Sequence, residues 1–567
     1  MNETRSLRSA LLRLHLPPLI VALFVWGVLF GPGLFRYSLN LENDLLFTDD
    51  ARQQIWPMFP DDASGFKKDD VIRSYYRQAF LPIVYRAFYW TSSPLIDPAT
   101  LSKFLPLLLL LILILFCARA SKHAGGYVTM AATGVLVLAS SVPLGVMAGG
   151  LPRAFALPLF ALGALGAVEG RLHILALATA LAAGFYPSHA LPLGMSLAAF
   201  LLFRGPLQID SVRSGRKAIL VAASAFVLSA LLVTPLLLAG RQYGGRITRG
   251  EIESYPEAGP NGRYHADDHP PFSGTLSQIL RHSRRAFLNP GPPFLPPLRS
   301  TEKGAVATAG SLFAICLAGI FVAWKKNPAL RRIGALMACI ALSHALAVAG
   351  WPWLFSPERH VRSALPVLLW ILLPVSAAAL AQRLAGGSRG VMHAATIGVT
   401  AASVLLLGGT TDPKAGLSVE VVSPEVYEFV ATLPAGSMVA GFPNGIVDNV
   451  PYIARRSALV TLETHQALYR GYTLEMRRRT NALVDACFAV DRTPILALRR
   501  DFGVTHLIVE ESHFGEQPPW YFEPFTRRVR DAHALGRLHG FALEKLTHRE
   551  VVFRSAGVAV VDLAMLE

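Results

Sequence analysis

Charged side chains are what this chain of 567 residues has least of: they make up 16% of it, against about 25% in an ordinary soluble domain. That shortage excludes a wholly water-solvated protein, and the 52% of hydrophobic residues points to a second solvent, the bilayer. Acid is scarcer than base, 38 Asp and Glu against 53 Lys and Arg, for a formal net charge of +15. A basic excess can mark a nucleic-acid binder. Here the basic residues fall in short clusters between apolar runs, which is how membrane topology is encoded, so no nucleic-acid partner is expected. Cysteine is nearly absent. Cys117, Cys316 and Cys339 lie in apolar runs and Cys487 stands alone, which excludes a disulfide framework and a cysteine metal site. Internal repeats and low-complexity tracts are missing as well, and Pro290–Pro297 reads as an ordinary loop.

What is present is a series of long apolar runs. Arg5, Arg8 and Arg13 precede the first, about 16–35. It is some 20 residues long and no small-residue cleavage site follows it, so it reads as a retained helix rather than a signal peptide. Further runs of spanning or near-spanning length lie at about 101–117, 126–147, 152–168, 172–185, 188–203, 218–239, 304–324, 332–350, 361–381 and 391–408. Together they predict a polytopic α-helical membrane protein of about eleven transmembrane helices. The two runs flanking Tyr186–Pro187 are short and read as half-helices or a broken hairpin. Phe80–Trp90 is aromatic and amphipathic, an interfacial segment.

Positive charge assigns the sides. With the N-terminus cytoplasmic, the inside segments are Arg119–Lys122, Glu169–Arg171, Arg204–Lys217, Lys325–Arg332 and Gln382–Arg389. The outside segments are then about 36–100, 149–151, 186–188, 240–303, 351–360 and everything after 409. The predicted division is a membrane domain over 1–410, with outer loops 36–100 and 240–303, and an extracytoplasmic α/β domain over 411–567. In the latter, Ser423-Pro424-Glu425 opens a helix with Ser as its cap, 437–442 is a strand, and 467–488 a long helix. A short helix over 494–500, a strand over 505–509 and a strand or hairpin within 550–562 complete the alternation.

Unusual polar chemistry gathers on the outer face. Leu41-Glu42-Asn43-Asp44 and Thr48-Asp49-Asp50 place four acids within ten positions just after a membrane helix. Adjacent aspartates there serve as a general base or hold a divalent cation, and the plain alternative is that Asp49 or Asp50 caps the helix beginning at Ala51. Arg153, in Gly149-Gly150-Leu151-Pro152-Arg153, either points into a cavity or snorkels to headgroups. Tyr186, Pro187 and His189 mark the wall of a pocket, because a broken helix is tolerated only beside protein or a wet cavity; a structural role for His189 is the competing reading. Ser356-Pro357-Glu358-Arg359-His360-Val361-Arg362 puts two arginines three apart, both against the positive-inside rule, where phosphate binding competes with snorkelling. The loop His265, Asp267, Asp268, His269 reads as a solvated turn before it reads as a metal site. Arg477, Arg478 and Arg479 read as a solvated or headgroup-facing helix side.

The segment Thr48-Asp49-Asp50-Ala51-Arg52-Gln53, set in a long outer loop behind a first helix and followed by many apolar helices and an outer α/β domain, resembles the GT-C superfamily of membrane glycosyltransferases, and bacterial members in particular. The resemblance covers the helical region in architecture and only short motifs in residues. It implies a multi-pass protein of a bacterial cytoplasmic membrane, taking sugar from a polyprenyl-phosphate-linked donor and passing it to a glycan, lipid or protein acceptor. It implies Asp49 or Asp50 as the base, attack at the anomeric carbon with inversion, and Arg359, Arg362 and Arg153 on the donor phosphate. His360, Tyr186 and His189 would line the pocket. A divalent cation, Mg or Mn, held by Asp49 and Asp50 remains open at this stage. The rival functions are a transporter or flippase for lipids or lipid-linked sugars, or a non-catalytic assembly subunit; the absence of internal repeats and the large outer domain weigh against a transporter.

Overall fold

The computed structural model describes residues 37, 40–61, 65–207, 209, 215–263, 271–287, 302–349, 356–407 and 416–567. The predicted first helix with Arg5, Arg8 and Arg13, the His265–His269 loop, and Pro290–Pro297 lie outside the described residues.

Among the described residues five helices are long and apolar enough to cross a membrane, Pro98–Gly125, Pro152–Glu169, Gly215–Gln242, Pro328–Ala349 and Arg359–Leu384, or six if the bent pair Tyr127–Ala139 and Val142–Gly150 counts as one span. Leu172–Phe185 and Pro187–Leu202 are apolar but short, and they meet at Tyr186 (φ −147°), where the chain leaves the helical conformation. The expected half-helices are therefore two separate helices packed against each other. Arg359–Leu384 sits at the centre of the body. From Ala364 to Ala378 every one of its residues is buried, Trp370 among them. Gly215–Gln242 is the opposite case: only 11% of its most apolar window is buried, so its exposed Leu and Val side chains face outward.

Small residues set the close contacts. Ala156–Glu169 (ALPLFALGALGAVE) lies on Leu172–Phe185, and a Cβ on Gly166 would stand 2.7 Å from the Leu175 nitrogen. Without a driving force between apolar surfaces in lipid, such backbone approach is what lets dispersion hold helices together.

Four of the five predicted inside segments meet at one end of this bundle. Arg119 pairs with Glu169 at 2.8 Å. The Arg332 guanidinium donates to the carbonyls of Leu207 and Val168 at 2.8 and 2.9 Å, and Asn327 donates to the Ala124 carbonyl at 2.9 Å.

The C-terminal unit is an α/β fold. Its five strands run in the order Ser457–Ala458, Met438–Ala440, His506–Glu510, Val558–Asp562, Val551–Ser555; the first three are parallel and the last two form an antiparallel hairpin. Helices Pro424–Thr432, Arg470–Cys487 and Thr493–Phe502 fall close to their expected positions. Pro424 occupies the first helical turn as expected, but Ser423 stands at φ 55° and makes no side-chain cap, so its capping role is corrected. The expected solvated arginine face is also corrected. Arg477 makes a two-pronged ion pair with Glu257, a fully buried carboxylate, at 2.6 and 2.7 Å. Arg478 and Arg479 both bond Glu475, and Arg479 is itself buried, donating to the Leu459 carbonyl. Neighbours in sequence do not reveal an acid 220 positions away.

This unit is stitched to the first outer loop. Leu46–Phe47 pairs antiparallel with Val419–Glu420, and Thr48 donates to the Gly416 carbonyl at 3.2 Å. The segment read as interfacial forms the helix Ile83–Ser92, with Tyr85 and Tyr89 buried and Trp90 exposed.

Candidate active site

Every residue of Thr48–Gln53 has a distinct task. Thr48 and Ala51 are buried against the body. Asp50 holds the N-cap position of Ala51–Gln54 yet makes no cap hydrogen bond, so its carboxylate is left for another partner. That partner is the Arg153 guanidinium, in direct contact with it. Asp49 bonds Arg52 instead, and Arg52 reaches on to Asp448 at 2.9 Å and Asn449 at 3.2 Å. The Gln53 amide donates to the Glu463 carbonyl at 2.5 Å.

Arg153 is brought there by a sharp turn. Gly149 and Gly150 take φ 78° and 57°, which side chains with a Cβ rarely adopt, and a Cβ on Gly149 would meet Thr48 at 3.0 Å. Pro152 then starts the 3-10 turn Pro152–Phe155 that carries Arg153. The Tyr89 hydroxyl fixes the turn by donating to the Gly150 carbonyl at 2.9 Å.

Asp50 and Arg153 open onto a cavity of about 580 Å³. Arg359, His360 and Arg362 line its far side, on the one-turn helix Arg359–Arg362 that leads into the central helix, and Tyr186 lines it from the break between the two short helices. The cavity thus joins Asp50, Arg153, Arg359, Arg362, His360 and Tyr186. It does not include Asp49, which faces Arg52, nor His189. His189 is fully buried behind the wall, its Nδ1 3.1 Å from the Ala156 carbonyl oxygen and its ring edge-on to Tyr186. His189 therefore does not line the cavity.

Two residues escaped the sequence reading. Glu463 and Arg263 line the same cavity and pair at 2.6 Å. Burial, together with Asp49 and Asp448 nearby, outweighs Arg263 and pushes the Glu463 carboxyl up to about 7. Its main chain is pinned by Asp448, which accepts from the Glu463 N–H at 3.1 Å, and by the Gln53 and Gln466 amides. The one sequence signal was a single acid in the otherwise uncharged run 457–468; Arg263, in a loop rich in Gly and Pro, gave none.

A divalent cation does not fit the expected pair. Asp49 and Asp50 turn to different arginines, and among the described residues no three His, Cys, Asp or Glu side chains converge as a metal site. What the cavity offers is two carboxyl groups, Asp50 and Glu463, five guanidiniums including Arg153, Arg359 and Arg362, and an apolar flank from Leu81, Val146, Leu191 and Leu236. That combination suits a ligand with an acidic head and a hydrocarbon tail.

No family model matches the sequence, and no curated protein matches it either. Among solved structures, ArnT from Cupriavidus metallidurans in the apo state is similar over 94% of this chain and 96% of its own, with 14% identity and a TM-score of 0.48. The archaeal oligosaccharyltransferase AglB from Archaeoglobus fulgidus, in complex with an inhibitory peptide and a dolichol-phosphate, is similar over 88% of this chain and 69% of its own, with 13% identity and a TM-score of 0.44. Both scores lie below 0.5, and the chemistry proposed below rests on the residues of the cavity.

Proposed function

We propose that this chain is a membrane glycosyltransferase of the GT-C type, moving a sugar from a polyprenyl-phosphate-linked donor to an acceptor hydroxyl, with Asp50 as the base. One observation carries the reading: Asp50, Arg153, Arg359 and Arg362 face a single cavity that has an apolar flank. A carboxylate and forked cations around one small volume match the two charges of such a transfer, a proton leaving the acceptor and negative charge growing on phosphate.

The resting pair Asp50–Arg153 gives the order of events. An incoming donor phosphate competes for Arg153, and its approach releases the Asp50 carboxylate toward the acceptor. Asp50 takes the hydroxyl proton as the acceptor oxygen bonds to the anomeric carbon. The carbon–oxygen bond to phosphate breaks on the opposite side, its electron pair leaves with the carrier phosphate, and configuration inverts. Arg359 and Arg362 receive that charge through forked contacts that cost little reorganisation. The site would face the extracytoplasmic side, because its loops are the ones the positive-inside rule puts outside.

The test is incubation of the purified protein with a panel of polyprenyl-phosphate sugars, following donor loss by mass spectrometry. Transfer or hydrolysis of at least one donor, abolished in Asp50→Asn, is expected. Full turnover in that variant would assign the base elsewhere. A lipid flippase would bind donors in the same cavity and consume none of them.

A further inference from the structure

The helix Pro271–Phe287 (PFSGTLSQILRHSRRAF) carries three arginines and a histidine and no acid. It is strongly two-sided. Leu276 and Leu280 are exposed, whereas Gln278 and His282 are only 4% and 1% exposed and lie one turn apart on the face packed against the helices of the body. Arg285 follows about one turn on, at the exposed edge of that row. The Gln278 side-chain oxygen and both ring nitrogens of His282 have no hydrogen-bond partner among the described residues. Three buried polar atoms left open along one row ask for a ligand or ion to complete them.

The charges nearby say which sign of ligand. The helix packs against the one-turn helix Arg359–Arg362, and Arg281, four positions before Arg285, and Arg362, which also lines the active cavity, both bear on Arg285. No ion pair joins any of the three to a carboxylate among the described residues. Like charges at that spacing destabilise a helix, and water completes hydrogen bonds without neutralising charge. Burial first, then Arg285, Arg362 and Arg281, hold the His282 imidazole neutral, down to about 3, so one ring N–H is left to donate.

We propose that Arg281, Arg285 and Arg362, with His282 and Gln278, form an anion site for a lipid-borne phosphate, next to the cavity and separate from the Asp50–Arg153 pair. The exposed leucines of the same helix put this site at the edge of the apolar surface, where a lipid tail leads away from it. Two lipids offer this chemistry: the second phosphate of a polyprenyl diphosphate carrier, whose first sits in the cavity, and the headgroup of an anionic phospholipid. The carrier source rests on the proposed transfer function; the phosphate site itself does not.

The experiment measures binding to the full-length protein in phosphatidylcholine nanodiscs, with three probes: a polyprenyl diphosphate, the matching monophosphate and phosphatidylglycerol. Arg281→Ala and Arg285→Ala are the test variants. Both positions are exposed, and their unfolding temperatures should match the parent. Loss of one charge-assisted contact is expected to weaken the bound probe about tenfold, with Arg285→Lys recovering part of it. A loss confined to the diphosphate assigns the carrier; a loss for phosphatidylglycerol assigns the headgroup; both support the site. Unchanged binding of all three probes in both alanine variants overturns it. If these losses appear in a protein that transfers no sugar, the transfer reading falls and the phosphate site stands.

Discussion

At the scale of single residues, two adjacent aspartates have different environments and should have different mutant phenotypes. Asp50→Asn keeps size and the contact to Arg153 but removes basicity, so donor binding should survive while turnover falls about 10²-fold or more. Asp49→Asn disturbs a half-exposed pair with Arg52 outside the cavity, and a loss under about tenfold is expected. Steady-state turnover with donor-binding measurements separates the two; equal losses would show that Asp49 reaches the chemistry. Arg359→Ala should weaken donor binding and slow transfer together, with Arg359→Lys intermediate because it keeps charge and loses the fork. Glu463 supplies a pH prediction. Its folded value of about 7 lies above the ordinary 4.5, so the folded state holds a proton that the unfolded chain has released. That contribution is full below pH 4.5 and is lost as pH rises through 7. The unfolding temperature should fall over that window, and in Glu463→Gln the fall should be smaller. Identical pH profiles for the two proteins would contradict the burial argument.

At the scale of elements, close helix contact and buried charge are the two things most easily broken. Gly166→Val puts atoms where the backbone of Leu172–Phe185 already stands, 2.7 Å from the Leu175 nitrogen. Overpacking of this kind costs about 1–3 kcal/mol, read as a lowered unfolding temperature in detergent. Arg477→Ala leaves Glu257 buried and unpaired, and a loss of about 3 kcal/mol or more is expected. Arg477→Ala combined with Glu257→Gln should cost less than the sum of the two single changes, since the second removes the stranded charge. An additive double variant would mean that the pair does not hold Arg470–Cys487 to the loop before it.

At the scale of the whole molecule, the two sets of segments separated by charge counting are also separated in space. Ala124, Val168, Leu207, Asn327 and Arg332 meet at one end, and Asp50, Arg153, Tyr186 and Arg359 meet around the cavity. A reporter inserted near Asn327 should therefore read cytoplasmic, and one fused after Glu567 extracytoplasmic. Reporters giving the same side would break the topology and move the proposed site with it. The C-terminal unit should resist removal, because strand Val419–Glu420 and the pairs Arg52–Asp448 and Arg477–Glu257 tie it to the loops of the helical body.

The sequence by itself determined the membrane character, the α/β nature of the last third and the interest of Thr48–Gln53, because apolar run length, residue alternation and local charge are properties of short stretches of chain. It also marked Arg359 and Arg362, whose placement against the positive-inside rule is visible without a fold, and Arg153, at the glycine-rich entry of its helix. It did not fix how many helices span, since a run near 14 residues has the same composition whether it crosses or stops short. It left Asp49 and Asp50 unranked: one residue of offset turns a side chain by about 100° on a helical turn, and only the packed turn at Gly149–Gly150 decides which one meets Arg153. Glu463, Arg263, and the partners of Arg477 were legible only in three dimensions. Each owes its role to a charge brought from a distant part of the chain, and burial at that meeting point sets its strength.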